Sequence, residues 1–471
     1  MQIYSVKLIL GWCIFSLYSQ YAVSFSAPSK RYGMSRITSI RMQTPETEEP
    51  EEISCNACSK RKTCPTVNEA TTAATATTAT TAATAATAAT ATTAATAATA
   101  TTAATAATTF YKYGTNPRLE HPNDKGQLTW YPIGFSHNFG IKPRRITIRD
   151  INYIVWKDKR TYYALHDCCS HQGSSFMLGN TVKNTISCPY HGYVFDGTNG
   201  ELVQIPKFPH IDSHLHNIDY FKVVEKGDVV YLNTIPLKDD ETRKQIDESL
   251  IFTEPEYFDK NQKPVYLQEN FEHYAKFVSV NSLDICHIGF VHTFGNKRNP
   301  NPLHNSRVEK LEDNEHHYRI TYEYIAGENS LVNKIYRFNN IKVENEYVLP
   351  HTTVARVHFG NMSSTIITHA LPVSAFKTIL FVKAYRNYWY HDLNKQNPLL
   401  IPGCYLINRF GDAITQNTMF TTLKQDKSIV DYIDKTTYEN MHGKFSIIFD
   451  MFSNHYKSNY KKYYEEGNHH L

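Results

Sequence analysis

The 471-residue chain carries 49 Lys and Arg against 45 Asp and Glu, a formal net charge of +4, and 41% of its residues are hydrophobic. This even balance is unremarkable, and no basic cluster interleaved with aromatics marks a nucleic-acid surface. Nine cysteines without regular spacing give no disulfide framework.

In chain order, Lys7 precedes an apolar run from Leu8 to Tyr18 that is too short to span a bilayer, and Ala22-Val23-Ser24 offers a small-residue cleavage site. Residues 1–24 therefore read as a signal peptide. Residues 25–69 read as a transit-like and linker segment: Phe25 to Gln43 holds Lys30, Arg31, Arg36 and Arg41 and no acid. The combination resembles the bipartite presequences of algae with secondary plastids and implies a plastid address; the secretory pathway is the alternative. Residues 70–109 are almost pure Ala and Thr, a low-complexity spacer that cannot specify a core. Cys55, Cys58 and Cys64, just before it, lack a second ligand loop and are read as incidental.

Two Cys-His loops follow. Cys169-Ser170-His171 and Cys188-Pro189-Tyr190-His191 are separated by sixteen residues, with Gly173 and Gly192 directly behind the ligands. In a Rieske [2Fe-2S] cluster two thiolates hold one iron and two imidazoles the other, so each loop supplies one ligand of each kind. Structural zinc is the competing reading, but zinc fingers pair Cys with Cys and His with His along the chain. Cys168 gives a second, Cys-x-x-His reading of the first loop. The segment resembles the Rieske family, whose pattern assigns Cys169, His171, Cys188 and His191 to the cluster. The positions where respiratory members carry a disulfide are Ser174 and Tyr190 here, which implies the oxygenase or ferredoxin type.

A second metal motif lies in Asn281 to His292, where His287 and His292 stand five apart and Asp284 precedes the first by three. Residues five apart on a regular helix diverge by about 140°, so the two rings share a metal only if the helix bulges or ends between them; Gly289 is the expected break. Two histidines and one carboxylate with open positions form the facial triad of non-haem Fe(II) oxygenases. This segment resembles the mononuclear-iron motif of the Rieske oxygenases. The resemblance implies a third ligand on a late helix, where Gln425-Asp426-Lys427 fits and Asp412 competes. One helical turn before His287, the Asp284 carboxylate is placed to accept a ligand's free ring N–H. The resemblance further implies that Asp284 bridges electrons to a cluster histidine of a neighbouring subunit, hence a homotrimer or larger assembly.

Runs at Arg145–Arg149, Tyr153–Trp156, Tyr162–Leu165 and Val229–Leu232 predict a small antiparallel β-domain around the cluster loops. Tyr318, Ile320, Tyr322 and Tyr324 alternate with Arg319, Thr321 and Glu323 as a half-buried strand does, and further strands are expected at Thr353–Phe359, Thr365–Leu371 and Thr378–Tyr385. The resemblance implies an α+β chain: an all-β Rieske domain over 128–235, then a helix-grip-like catalytic domain over 250–465 with a curved antiparallel sheet. Its implied activity uses O2 to hydroxylate or oxidatively demethylate an organic substrate at mononuclear Fe(II). Electrons come from an external ferredoxin or reductase, because the chain shows no Gly-rich nucleotide fingerprint. No nucleic acid is expected as a partner, and no transmembrane helix in the mature chain. A plastid targeting signal suggests the branch containing pheophorbide a oxygenase and chlorophyllide a oxygenase, and so a pigment substrate, although the Cys-x-x-Cys near the carboxyl end is missing. A small amine, an alkaloid or a methoxylated compound is the alternative. A Rieske electron carrier without catalysis of its own is the reading from another class.

Overall fold

The computed structural model of the chain describes residues 130–465 apart from 209–215, 238–243, 245, 250, 304–305, 312–313, 328–330 and 436–444. The expected signal, transit and spacer segments, with Cys55, Cys58 and Cys64, lie outside the described residues.

The first half is all β. Strands β1 (Trp130–Phe135), β2 (Arg144–Ile148), β3 (Ile151–Asp158), β4 (Thr161–His166), β5 (Asn180–Val182), β6 (Thr185–Ser187), β7 (Val194–Asp196), β8 (Leu202–Gln204), β9 (Phe221–Lys226) and β10 (Val229–Pro236) form antiparallel sheets. Their orders are β1-β10-β9, β2-β3-β4 and β5-β6-β7-β8. Tyr153, Ile154, Val155 and Trp156 of β3 are all buried, as befits a central strand packed on both faces. The two Cys-His loops join β4 to β5 and β6 to β7, so short ladders brace them on either side.

The second half is built on a seven-stranded antiparallel sheet. Its members are β11 (Val265–Phe271), β12 (Val308–Lys310), β13 (His317–Ile325), β14 (Asn340–Val348), β15 (Thr352–Phe359), β16 (Met362–Ser374) and β17 (Lys377–Arg386), in the order β11-β17-β16-β15-β14-β13-β12. In β13 the expected alternation holds, with Ile320, Tyr322 and Tyr324 buried and their neighbours half-buried. Gly360, at φ +62°, supplies the left-handed residue that the two-residue turn from β15 into β16 needs. Across the middle of the sheet, Asn345, Ala355, Ile366 and Ala384 stand side by side in register.

Helices α1 (Ala275–Leu283), α2 (Ile288–Val291), α3 (Leu331–Tyr336), α4 (Ile401–Val430) and α5 (Met451–Tyr460) complete the architecture. On α4, Met419, Leu423 and Val430 recur at helical spacing and pack with Val278 of α1 against Phe271, Leu380 and Val382 of the sheet. Asp426 sits inside that apolar stripe.

The halves share one continuous core. The β2–β3 turn docks on the end of β16, with Arg149 and Asp150 N–H donating to Pro372 and Val373 carbonyls at 2.8 Å each. Arg149 thus belongs to the turn rather than to the strand expected for it, at φ +49°. A buried polar link sits at the same junction. Lys383 of β17, wholly buried, pairs with Glu254 and donates to the Gly227 carbonyl in the β9–β10 turn, while Tyr385 Oη also donates to Glu254. Burial pulls the Lys383 ammonium below its ordinary value and the Glu254 carboxylate works against that pull. Removing one partner strands the other charge, so Glu254→Gln is expected to destabilise the protein by about 3–5 kcal/mol, read as a fall in Tm. The paired replacement Glu254→Gln with Lys383→Met should recover most of that loss, since no buried charge is left unpaired.

Candidate metal centres

The two Cys-His loops are built alike. In the first, Cys169 N–H donates to Ser174 O (2.9 Å) and Gly173 N–H returns to Cys169 O (2.8 Å); in the second, Cys188 N–H donates to Tyr193 O (2.7 Å) and Gly192 N–H returns to Cys188 O (2.9 Å). Gly173 and Gly192 take φ +72° and +76°, a conformation an L side chain resists. The superposable positions are therefore Cys169 and Cys188, both 2% exposed, while Cys168 is half-buried and falls outside the repeat. His171 and His191 are exposed and face each other Nδ1 to Nδ1 at 3.1 Å.

Asp167 anchors the first loop. Its carboxylate accepts from Ser175 Oγ and the Phe176 N–H, both at 2.7 Å, and pairs with Arg145 at 3.1 Å. It was not singled out from sequence, where an acid before a Cys pair carries no signal of its own.

This donor set fits a [2Fe-2S] cluster. Burial pushes the Cys169 thiol up to about 12; backbone N–H groups of His171 and Gln172 at its sulfur pull the other way, and the Cys188 thiol adds to the rise. Two buried thiolates side by side need a cation between them, and the aimed N–H groups are what ligand sulfurs accept.

The second site is assembled by three separate elements. Helix α1 ends at Leu283, and Asp284 takes an extended conformation (φ −68°, ψ 122°). His287 stands at the N-cap of the four-residue α2, and His292, at φ −91° and ψ 140°, leaves its C-terminus. The chain thus breaks before both histidines and again at the second. Gly289 lies within α2, and its role is close approach: a Cβ there would meet Pro300 Cβ at 2.5 Å.

Asp284 consequently does not sit one helical turn before His287 on a shared face. Its Oδ1 accepts the N–H groups of Cys286 (2.8 Å) and His287 (3.4 Å), and its backbone carbonyl, not its carboxylate, takes His287 Nδ1 at 2.9 Å. His292 Nδ1 meets Gln425 Oε1 at 3.2 Å, and its ring stacks on Phe294. With each Nδ1 bound to an acceptor, the tautomer is set and both Nε2 lone pairs are free. Both Nε2 atoms lie 3.5 Å from Asp426 Oδ1, which is buried without a hydrogen-bond partner. The three ligand atoms fall within 4.8 Å of one another. Burial opposes protonating either ring. At His287 the Asp426 carboxylate outweighs it and holds the ring above its ordinary value, whereas at His292 burial prevails and the ring lies below. An orphaned carboxylate oxygen facing two imidazole lone pairs fits a divalent metal.

Asp412 is not brought to this point; it pairs with the buried Arg386 guanidinium at 2.8 Å. The orienting role of Gln425 is legible only once the helix face is known, because it depends on His292 arriving from 133 residues away.

The triad opens into a cavity of about 330 Å³ between α4 and the sheet, bordered by Phe294, Gly295 and Asn296 and by Tyr385, Tyr388 and Trp389. Of these aromatics, Tyr385 is wholly buried core.

Comparison with known proteins agrees with this fold. The Rieske [2Fe-2S] domain family matches residues 129–217. Methylxanthine N1-demethylase NdmA of Pseudomonas putida is 25% identical over 177 residues, 35% of this chain and 46% of that protein. Dicamba monooxygenase bound to 3,6-dichlorosalicylic acid superposes with a TM-score of 0.58 at 18% identity, covering 71% of this chain and 96% of that one. Residues 129–217 form a Rieske [2Fe-2S] domain, and the chain is similar to the Rieske non-haem iron oxygenases of alpha-subunit type. Chloroplastic choline monooxygenase of Atriplex hortensis matches at 36% over 62 residues, 13% of this chain and 14% of the relative. The chain thus spans less than half the length of these curated relatives, while the structural match extends over nearly the whole neighbouring fold. Rieske oxygenases carry a [2Fe-2S] cluster in the first domain and mononuclear iron in the second, the two groups that these donor sets fit. Among the described residues no helix is long and apolar enough to cross a membrane.

Proposed function

We propose that this chain is the terminal oxygenase of an electron-transfer system, taking electrons from an external ferredoxin or reductase and using O2 to hydroxylate or oxidatively demethylate an organic substrate. The observation that carries the reading is the meeting of His287, His292 and the unpartnered Asp426 Oδ1 at the mouth of an apolar cavity. We assign Cys169, His171, Cys188 and His191 to the cluster, and His287, His292 and Asp426 to the iron. Iron held by two imidazoles and one carboxylate keeps open positions at which O2 is activated beside a substrate.

The protein's own groups do the rest. The Asp284 carbonyl and Gln425 hold the two imidazoles in one tautomer with Nε2 directed at the metal position. The half-buried Asp284 carboxylate stiffens the loop between them through two N–H groups. A cluster histidine of another copy would meet its second oxygen, the electron bridge expected from sequence. That role requires a neighbouring copy, and the resemblance implies an assembly of three or more. The cavity walls exclude water from the reacting carbon.

Relatives named as demethylases, choline monooxygenases, a chlorophyllide a oxygenase of Chlamydomonas reinhardtii (29% over 83 residues) and a cholesterol 7-desaturase of Hemicentrotus pulcherrimus (44% over 45 residues) support hydroxylation, demethylation or desaturation. Chloroplastic relatives favour a plastid address, and with it a pigment among the candidate substrates.

Iron and acid-labile sulfide per chain, with an EPR spectrum after dithionite reduction, test the reading. About three irons and two sulfides with a Rieske signal are expected. Two irons and two sulfides, persisting after reconstitution with Fe(II), would make the chain an electron carrier.

A further inference from the structure

The cavity is long as well as apolar. Its roof is α4, where Ile414, Thr418, Met419, Thr422, Leu423 and Asp426 line it in turn. The twelve helical steps from Ile414 to Asp426 span about 18 Å. Its floor runs beneath them along β17, where Leu380, Val382 and Ala384 face the same side.

The two ends differ in chemistry. At the Asp426 end, Lys427 reaches the Asn270 carbonyl, and Asn270 pairs with Ile379 at the start of β17. At the other end, Gly411 lies against Trp389, just beyond the end of β17. There Phe338, Phe359, Tyr388 and Trp389 line the cavity as a chain of rings with successive centroids 5.7, 5.5 and 5.3 Å apart. Between the ends the floor is kept open by small side chains, Ala355 and Ala384 standing either side of Ile366 in one cross-strand row.

Charge is the remaining discriminator. Among the described lining residues there is no lysine or arginine, and Asp426 is the one carboxylate. With Asp426 committed to the metal, no side chain described in the wall away from the metal position carries a charge that could pair with an ammonium or a carboxylate, and only the aromatic faces at the far end attract a cation. Burying either ion unpaired costs several kcal/mol. The polar lining groups are neutral hydroxyls and amides such as Ser364, Thr415, Thr418 and Asn299.

Resting on the oxygenase reading above, we propose that the substrate is an elongated, uncharged, largely hydrocarbon molecule carrying at most a hydroxyl, carbonyl or ether oxygen, of sterol or isoprenoid-alcohol type. It lies along α4 with its reacting end at His287, His292 and Asp426 and its far end against Phe359, Tyr388 and Trp389. Small or ionic molecules of the choline or dichlorosalicylate kind do not fill this space or match its neutrality.

The test is equilibrium binding to the iron-loaded, cluster-containing protein, with no turnover required. The probes are cholesterol and geranylgeraniol, delivered from cyclodextrin, against caffeine, choline and 3,6-dichlorosalicylate. At least one long neutral probe is expected to bind ten-fold or more tighter than all three small ones, and which one decides between a fused-ring and a linear skeleton. Ala355→Phe, which fills the middle of the cavity, should weaken the long probe at least ten-fold without changing iron content or the EPR spectrum. Trp389→Ala, a truncation at the far end, should weaken it while leaving caffeine binding unchanged. Tightest binding of choline or dichlorosalicylate, or a long probe indifferent to both variants, overturns the proposal. Iron and sulfide content is measured on the same samples, so a missing third iron would sink the oxygenase reading separately from the shape and charge preference of the cavity.

Discussion

Asp426→Ala is expected to abolish the mononuclear iron site and lower turnover by more than about 100-fold, with the cluster EPR signal unchanged. The magnitude follows from the second shell, where loss of a single supporting group costs roughly 10–100-fold in metal affinity or activity; loss of a ligand exceeds that. The effect on stability separates this from a merely structural role. Asp426 Oδ1 is buried without a hydrogen-bond partner, so in iron-free protein its removal relieves a desolvated carboxylate and Tm should hold or rise. Wild-type protein gains stability when Fe(II) binds, by about 2.7 kcal/mol at a hundred times Kd, and the variant should show no such gain. Asp412→Ala makes the contrast: it leaves the buried Arg386 guanidinium without its carboxylate, so Tm should fall while iron content stays intact. Iron per chain and a thermal scan with and without Fe(II) on both variants check the pair. An Asp426→Ala protein that keeps three irons would move the third ligand elsewhere.

The cluster loops were legible because their chemistry is local. Each ligand pair, with the glycine behind it, lies within five consecutive residues; β2, β3, β4 and β10 show as short β-rich runs, whereas the three-residue strands β5, β6 and β7 that brace the loops are too short to have been read. The alternation in β13 was readable for the same reason, since one buried face imposes a period of two. The iron site was legible only in part. That His287 and His292 form a pair could be read, but the backbone that turns them together could not, because it depends on Pro300 closing over Gly289 and on Asp284 capping the loop. Helical spacing did not choose between the two acids: Met419, Leu423 and Val430 mark the buried stripe of α4, and Asp412, seven residues before Met419, falls on it as Asp426 does. The Lys383–Glu254 link and the length of the cavity were out of reach, for both arise where segments more than a hundred residues apart pack together.

Cys169→Ser is expected to eliminate the [2Fe-2S] cluster, whereas Cys168→Ser should keep it, although both residues stand a few positions before His171. The repeat of backbone hydrogen bonds decides between them, because the bonds that close the loop at Cys188 recur at Cys169 and not at Cys168. Cys169 and Cys188 are equally buried, and the Cys169 sulfur receives the N–H groups of His171 and Gln172. Burial raises both the Cys168 and the Cys169 thiols above their ordinary value, so titration does not separate the two and the loop geometry does. Loss of the cluster removes the only described route by which electrons enter the chain, so turnover in Cys169→Ser should vanish while mononuclear iron, held by residues of the other half, still binds. Acid-labile sulfide, visible absorption of the oxidised cluster and iron per chain give the readout. About one iron and no sulfide in Cys169→Ser, beside about three irons and two sulfides in Cys168→Ser, is the expected outcome. The reverse pattern would mean that the first loop ligates one residue earlier, as Cys-x-x-His, and that the shared backbone geometry of the two loops does not carry their chemistry.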